Sequence, residues 1–306
     1  MRYLVTKSTG SWYTVLEEGK PQSDERKARL RGSLRLKGAS STAPVVVGDF
    51  VCCVENTEGE LVIDSVEERK NYLVRKATNL SRQKHIIAAN IDTLYIVISL
   101  YSPETPLEFV DRMIAAAEAY GVETKLVINK VDIAAPNEEF LSIYRRAGYE
   151  MFLTSVVTGE GIEELKADLR GKTILFSGNS GVGKSSLLNA IEGNQRARTG
   201  EISEYHLAGK HTTTFSEIFA LEGGGFLIDT PGIKGFGLVD VEKEEIYHFF
   251  REIMAHSEGC GFYNCTHTHE PKCAVVEAVE RGEIAEERYY SYCKMMAEEE
   301  DSVKYR

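Results

Sequence analysis

Gly178-Asn179-Ser180-Gly181-Val182-Gly183-Lys184-Ser185, with Ser186 behind it, is the stretch on which the reading of this chain turns. It has the spacing G-x-x-x-x-G-K-[ST]. It sits between a run of β-forming residues at 173–177 and a helical run at 184–191. A strand, a glycine-rich loop and a helix in that order make a phosphate cradle. The glycines let backbone N–H groups turn inward onto phosphate oxygens, and the helix N-terminus adds positive potential. In such a loop Lys184 reaches the β- and γ-phosphates and the Ser185 hydroxyl ligates Mg2+.

Outward from the loop, apolar β-runs alternate with helical stretches. Strands are expected at 93–99, 124–128, 149–154 and 173–177, and a strand pair at 214–221 and 225–229. Helices are expected at 107–120, 137–147, 161–169 and 184–191. Strands alternating with helices specify a mostly parallel sheet wrapped by helices, and unbroken apolar strands fit burial on both faces. Residues 1–75 differ. Short β-runs, among them 45–54 and 60–64, are separated by turn signals such as Glu18-Gly19 and Glu58-Gly59. That pattern predicts a small β-barrel. Residues 76–90 read as a connector. After about Gly235 the β signal ends, and helices are expected at 243–256 and 275–300.

Asn129-Lys130-Val131-Asp132 follows the second strand and reads N-K-x-D. A carboxylate at Asp132 accepts from both N1–H and the 2-amino group of guanine, whereas adenine offers neither donor. The Asn129 amide is placed to meet the base's other edge, and the Lys130 stem to cover its face. Leu153-Thr154-Ser155-Val156 suits a backbone loop touching guanine O6, which adds Ser155 and Val156. Asp229-Thr230-Pro231-Gly232 ends the last strand. There Asp229 would hold Mg2+ through water and the Gly232 amide would sense the γ-phosphate.

Cys260, Cys265, His267 and Cys273 follow in the spacing C-x4-C-x-H-x5-C, with His269 as a second candidate imidazole. Three thiolates and one imidazole complete a tetrahedral Zn2+ site with no open position, a structural site. Cysteines clustered with histidines favour metal over disulfide in a reducing compartment.

The 306 residues carry 36 Lys and Arg against 47 Asp and Glu, a net charge of −11, which argues against a generic nucleic-acid binder. The exception is residues 20–37, where seven basic residues face two acidic ones. The longest apolar run, 94–100, is too short for a membrane span, and the first residues lack the apolar core of a leader; a cytoplasmic protein is expected.

The order of these motifs is unusual. In Ras-like proteins, by resemblance, the phosphate loop comes first and the base-reading motifs last. Here they run N-K-x-D, phosphate loop, D-T-P-G, a circular permutation of the G domain, which is tolerated when the original termini lie close together. The segment after Gly232 then leads directly into the C-terminal residues, so movement there on nucleotide exchange would pull on them.

Barrel, permuted G motifs and Cys/His segment together resemble the ribosome small subunit-dependent GTPase A (RsgA-like) family, over nearly the whole chain. Ala28-Arg29-Leu30-Arg31-Gly32 with 44–49 resembles that family's barrel signature, and Gly209-Lys210-His211-Thr212-Thr213-Thr214 its first switch. The resemblance implies an α/β P-loop GTPase domain, circularly permuted, at 77–236. It also implies an N-terminal all-β OB-fold barrel at 1–76 and a C-terminal α-helical zinc-binding domain at 237–306. His267 is the zinc ligand that fits the family. One switch threonine, taken as Thr213, would join Ser185 and Asp229 on Mg2+. Ile233 stands where Ras-like proteins place a water-orienting Gln, which leaves His211 as the candidate catalytic group. Arg29, Arg31, Arg35 and Lys37 are candidate rRNA contacts. The expected partners are GTP/GDP and the small (30S) ribosomal subunit with its rRNA, with no membrane, and the chain is expected to be a monomer. The expected activity is GTP hydrolysis, stimulated by that subunit and coupled to its late maturation. A permuted GTPase acting on another ribosomal particle, or a non-hydrolysing RNA-binding module, are the competing readings.

Overall fold

The computed structural model describes residues 1–10, 12–32, 44–75, 85–192, 216–229, 238 and 241–298. His211, Thr213, Gly232, Ile233, Arg35 and Lys37 lie outside these residues.

Five strands, β1 (Arg2–Ser8), β2 (Tyr13–Glu17), β3 (Arg26–Leu30), β4 (Phe50–Glu55) and β5 (Leu61–Val66), form the N-terminal unit. Pairing runs β1–β2–β3–β5–β4 and returns from β4 to β1, which closes the barrel. Alternation along β1 shows why. Tyr3 and Val5 point into the barrel core with Val15, Ala28 and Ile63, whereas Leu4 points outward into the core of the following unit. The expected strand at 45–54 is shorter than its composition suggested. Residues 45–49 form a turn, because the fully buried Asp49 carboxylate accepts from Val46 N at 2.8 Å and pairs with Arg69 at 2.6 Å. Three successive valines lose their β preference to that one buried acid.

A two-stranded ribbon follows, β6 (Tyr72–Arg75) with β7 (His85–Ala89). The stretch that read as a connector therefore contains a strand; Ala88 and Ala89 are buried in it.

The main sheet has β10 (Met151–Thr154), β9 (Glu123–Asn129), β8 (Thr93–Ile98), β11 (Thr173–Ser177) and β13 (Phe226–Asp229) side by side and parallel, with β12 (Glu217–Ala220) antiparallel beyond β13. β8 is buried at every position, as a central parallel strand covered on both faces must be. Helices α1 (Leu107–Ala119), α2 (Glu138–Arg146), α3 (Ile162–Leu169) and α4 (Lys184–Glu192) connect these strands. Asn137 caps α2 by accepting from Phe140 N at 2.8 Å, satisfying one orphan donor of the first turn. Two apolar clusters flank the sheet, one around Ile96, Ile98, Met113 and Ile128, the other around Tyr95, Val97, Leu165 and Leu187.

The C-terminal helices are shorter than their periodicity implied. The segment at 243–256 is a 3-10 turn, Lys243–Phe249, then α5 (Arg251–Ser257), broken at Phe250 with φ −116°. The segment at 275–300 is α6 (Ala274–Glu280) and α7 (Glu286–Ala297), parted at Gly282 with φ +70°. Between α5 and α6 lies the cysteine loop. Among the described residues no helix is long and apolar enough to cross a membrane.

Candidate guanine-nucleotide site and metal centre

Parallel strands end at the same edge of the sheet, and the candidate residues collect there. Asn129 ends β9, Thr154 ends β10, Ser177 ends β11 and Asp229 ends β13. The phosphate loop leaves β11 between them. At Gly178, φ is +142° and a Cβ would stand 2.1 Å from Val97 O; at Gly183, φ is +98° and a Cβ would stand 2.4 Å from Asn129 Nδ2. Both positions are closed to any side chain. Lys184 Nζ folds back to donate to Gly178 O and Asn179 O, each at 2.7 Å. Burial lowers the pKa of this ammonium. Asn179 and Ser185 are half-buried, while Ser180, Gly181 and Ser186 face solvent at the mouth.

Asn129 couples the two halves of the site. It is 2% exposed. Its Nδ2 donates to Val182 O at 2.9 Å, and its Oδ1 accepts from Thr154 Oγ1 at 3.1 Å. The amide thus braces the phosphate loop against the strand ends, a role beyond the base contact expected of it, because that buried carbonyl and hydroxyl need partners and Nδ2 carries two N–H groups. Val131 and Val182, both among the expected contacts, turn their side chains into the two apolar clusters, leaving backbone atoms for a ligand. Asp132 is exposed and its Oδ1 accepts from Ser155 Oγ at 2.6 Å. Ser155 is fully buried and its hydroxyl also accepts from Thr158 N, so this residue orients the carboxylate while its backbone shapes the loop. Val156 packs part-buried behind it. Lys130, at φ +66°, extends to donate to Ser102 O. Pro103 stands 3.2 Å from where a Cβ on Gly181 would be. The loop after β8, at 102–103, thus lines the site between base loop and phosphate loop. Sequence reasoning missed it because it carries no motif; its place at a strand's carboxyl end was the available signal.

At the other centre, ligand atoms of Cys260, Cys265, His267 and Cys273 lie within 4.8 Å of one another. Cys260 Sγ is 3.8 Å from Cys273 Sγ, and His267 Nδ1 is 3.4 and 3.6 Å from the two sulfurs. A zinc tetrahedron with Zn–S of ~2.3 Å and Zn–N of ~2.05 Å has S–S edges of ~3.8 Å and S–N edges of ~3.6 Å, so the donors fit the ion. His267 is 2% exposed, whereas His269 faces solvent and bonds Thr268 Oγ1 at 2.9 Å. That selects between the two imidazoles. Burial keeps His267 neutral, with its pKa lowered, and pushes the Cys265 thiol up to about 12. A bound cation has to displace that proton. Three residues without a motif signature hold the loop. Tyr289 Oη donates to His267 O at 2.7 Å, Tyr292 Oη to Thr266 O at 2.6 Å, and the Glu270 carboxylate gathers Thr266 N, Thr266 Oγ1, Thr268 N and His269 N.

This C-terminal unit is joined to the main sheet by Arg288. The guanidinium is fully buried, paired with Asp111 on α1 at 2.9 Å and Glu252 on α5 at 2.7 Å, and sits over the Phe250 ring at 4.8 Å. On the barrel, Arg29 and Arg31 are exposed. Each has an acidic neighbour, Glu60 and Asp64, and Arg29 stacks on Trp12 with 4.0 Å to the ring centroid.

A phosphate cradle beside an N-K-x-D carboxylate, on a sheet whose base-reading strand precedes the phosphate loop, defines a circularly permuted P-loop protein of the guanine-nucleotide type. The family model described as RsgA GTPase matches residues 66–239 and that of the RsgA N-terminal domain residues 4–63. The chain belongs to the RsgA family. It is 49% identical to the Small ribosomal subunit biogenesis GTPase RsgA of Phocaeicola vulgatus, covering 100% of this chain and 99% of that one. To RsgA 2 of Bacteroides thetaiotaomicron it is 50% identical over the same shares. Among solved structures it is similar to YjeQ from Thermotoga maritima, with TM-score 0.75, 36% identity and 96% of each chain covered. It is also similar to YloQ, described as a circularly permuted GTPase, with TM-score 0.72, 28% identity and 96% and 93% covered.

Proposed function

We propose that this chain is a GTP phosphohydrolase that docks on the small ribosomal subunit and couples hydrolysis to that particle's late maturation in the cytoplasm. The observation that carries the reading is the Asn129 brace, which makes phosphate loop and guanine-reading loop one pocket. The names of the full-length relatives support the ribosomal role. Residues 1–76 serve as the RNA-facing barrel, 77–236 as the G domain and 237–306 as the zinc-binding unit of a monomer.

In this reading Asp132, aligned by Ser155, selects guanine, with the Asn129 amide at the base's other edge and Lys130 and the backbone of Val131, Ser155 and Val156 around the base. The backbone from Gly178 to Gly183 and the N-terminus of α4, with Ser186, cradle the phosphates. Lys184 exchanges its two loop carbonyls for β- and γ-phosphate oxygens. Ser185, Asp229 and Thr213 would hold Mg2+, which supplies charge neutralisation to the phosphates. One Zn2+ on Cys260, Cys265, His267 and Cys273 organises the C-terminal loop and takes no part in chemistry. Gly232 reports the γ-phosphate. With Ile233 where a water-orienting amide is needed, hydrolysis by the free chain is slow, and docking brings His211 to the attacking water. Arg29, Arg31, Arg35 and Lys37 contact rRNA phosphates.

GTP turnover measured alone, with purified small subunits and with large subunits tests this. Stimulation by small subunits alone, lost in His211→Ala, is expected. Stimulation by large subunits instead, or no turnover under any condition, overturns the reading; full stimulation in His211→Ala removes that residue's role.

A further inference from the structure

The strand pair β12–β13 lies, in sequence, between Thr213 and Gly232, and its last residue is Asp229. Its outer strand is not left as an edge. β1 of the barrel meets it, with Lys7 opposite Glu217, so barrel and main sheet are one continuous 11-stranded sheet. Two side chains fasten the join. Lys7 Nζ donates to the Glu217 carboxylate at 2.8 Å. Gln22, in the turn between β2 and β3, lies along β12: its Nε2 donates to Ile218 O at 3.0 Å and its Oε1 accepts from Ala220 N at 2.7 Å. A carboxamide has the donor and acceptor of a peptide group, and this one bonds β12 where a neighbouring strand would. Glu217 is in turn directly opposite Asp229. Lys7, Glu217 and Asp229 therefore form one row across three strands, running from the barrel to the carboxylate at the nucleotide site.

We propose that Gln22 and Lys7 are positioning residues for the nucleotide site. They clamp β12 to the barrel and so set where β13 delivers Asp229 beside the phosphate loop. The inference rests on Asp229 acting on the magnesium side of a bound nucleotide. The barrel is then part of the switch. A ligand that shifts β1 changes nucleotide affinity, and nucleotide changes that ligand's affinity by the same factor.

The test uses the full chain with fluorescent GDP and a non-hydrolysable GTP analogue, each titrated at saturating Mg2+ and in EDTA. Gln22→Ala is expected to cut the magnesium-dependent gain in affinity by about fivefold, the size of one net hydrogen bond, with affinity in EDTA unchanged. Gln22→Glu, which keeps the acceptor for Ala220 N but sets a carboxylate oxygen against the Ile218 carbonyl and the Glu25 carboxylate, should lose at least as much of the gain. A merely structural role would lower the melting temperature and leave the magnesium-dependent gain alone. If the parent chain shows no such gain, the assignment of Asp229 fails and the clamp with it. If the parent shows it and Gln22→Ala keeps it in full, the clamp alone is refuted.

Discussion

Replacing Asn129 by alanine should damage two things at once, and the sizes follow from its surroundings. The side chain is 2% exposed and makes two bonds, to Val182 O and from Thr154 Oγ1. Each is worth ~1 kcal/mol net, and the Thr154 hydroxyl, fully buried, loses its acceptor at a further cost of ~1–2 kcal/mol. Asn129→Ala should therefore lose ~3–4 kcal/mol. At ~2–4 °C per kcal/mol for a chain of this class, the melting temperature should fall by about 6–16 °C. The phosphate loop loses its tether to the base loop, so affinity for GDP and GTP should fall together. Asp132→Ala is the contrast: its carboxylate is exposed and bonded to one hydroxyl, so stability should change by less than ~1 kcal/mol while guanine selectivity disappears. Differential scanning calorimetry with and without GDP reads both. A melting temperature in Asn129→Ala within about 2 °C of the parent, with GDP still bound at parental affinity, refutes the brace.

Metal analysis should find one zinc per chain. Zinc binding to metal-free protein at pH 7 should release about three protons, as the three cysteine ligands become thiolates, two of them, Cys265 and Cys273, with thiols raised by burial; calorimetry in buffers of different ionisation enthalpy counts them, and none released contradicts the site. Arg288→Met strands Asp111 and Glu252 in the interior and should cost ~3–5 kcal/mol in denaturant unfolding; a loss below ~1 kcal/mol contradicts the buried triad. Burial alone would raise the pKa of Asp168, but hydrogen bonds from Lys172, Tyr95 and Lys125 outweigh it and hold the carboxyl at about 2. A depressed carboxylate stabilises the fold above its unfolded pKa of ~4 and stops doing so as pH falls towards 2. Asp168→Asn should flatten the pH dependence of stability in that window, and an unchanged acid limb contradicts the assignment.

What could be read in advance was what is local. The β/α alternation was legible because each parallel strand is buried on both faces and so is apolar throughout, as β8 is. Phosphate loop and N-K-x-D were legible because glycine at Gly178 and Gly183 and amide at Asn129 are demanded by contacts a few ångströms away. What escaped depends on partners remote in sequence. Asp49 turns 45–49 away from strand through Arg69, and β7 exists only by pairing with β6. Arg288 bonds a residue 177 positions earlier, and Gln22 one 196 positions later. Asn129 was recognised for the base, but its bonds to Val182 and Thr154 were not foreseen, since a motif names the residue and not the other groups packed against it. His267 was separated from His269 by burial, which spacing does not report.

Every role proposed for this chain depends on a pocket that closes around a guanine nucleotide. Calorimetric titration of the full chain with GTP, GDP and ATP in the presence of Mg2+ tests it. GTP and GDP should bind one per chain and ATP at least about 100-fold more weakly, since adenine leaves the Asp132 carboxylate unpaired. ATP binding within about threefold of GTP, or uptake of neither, would contradict it.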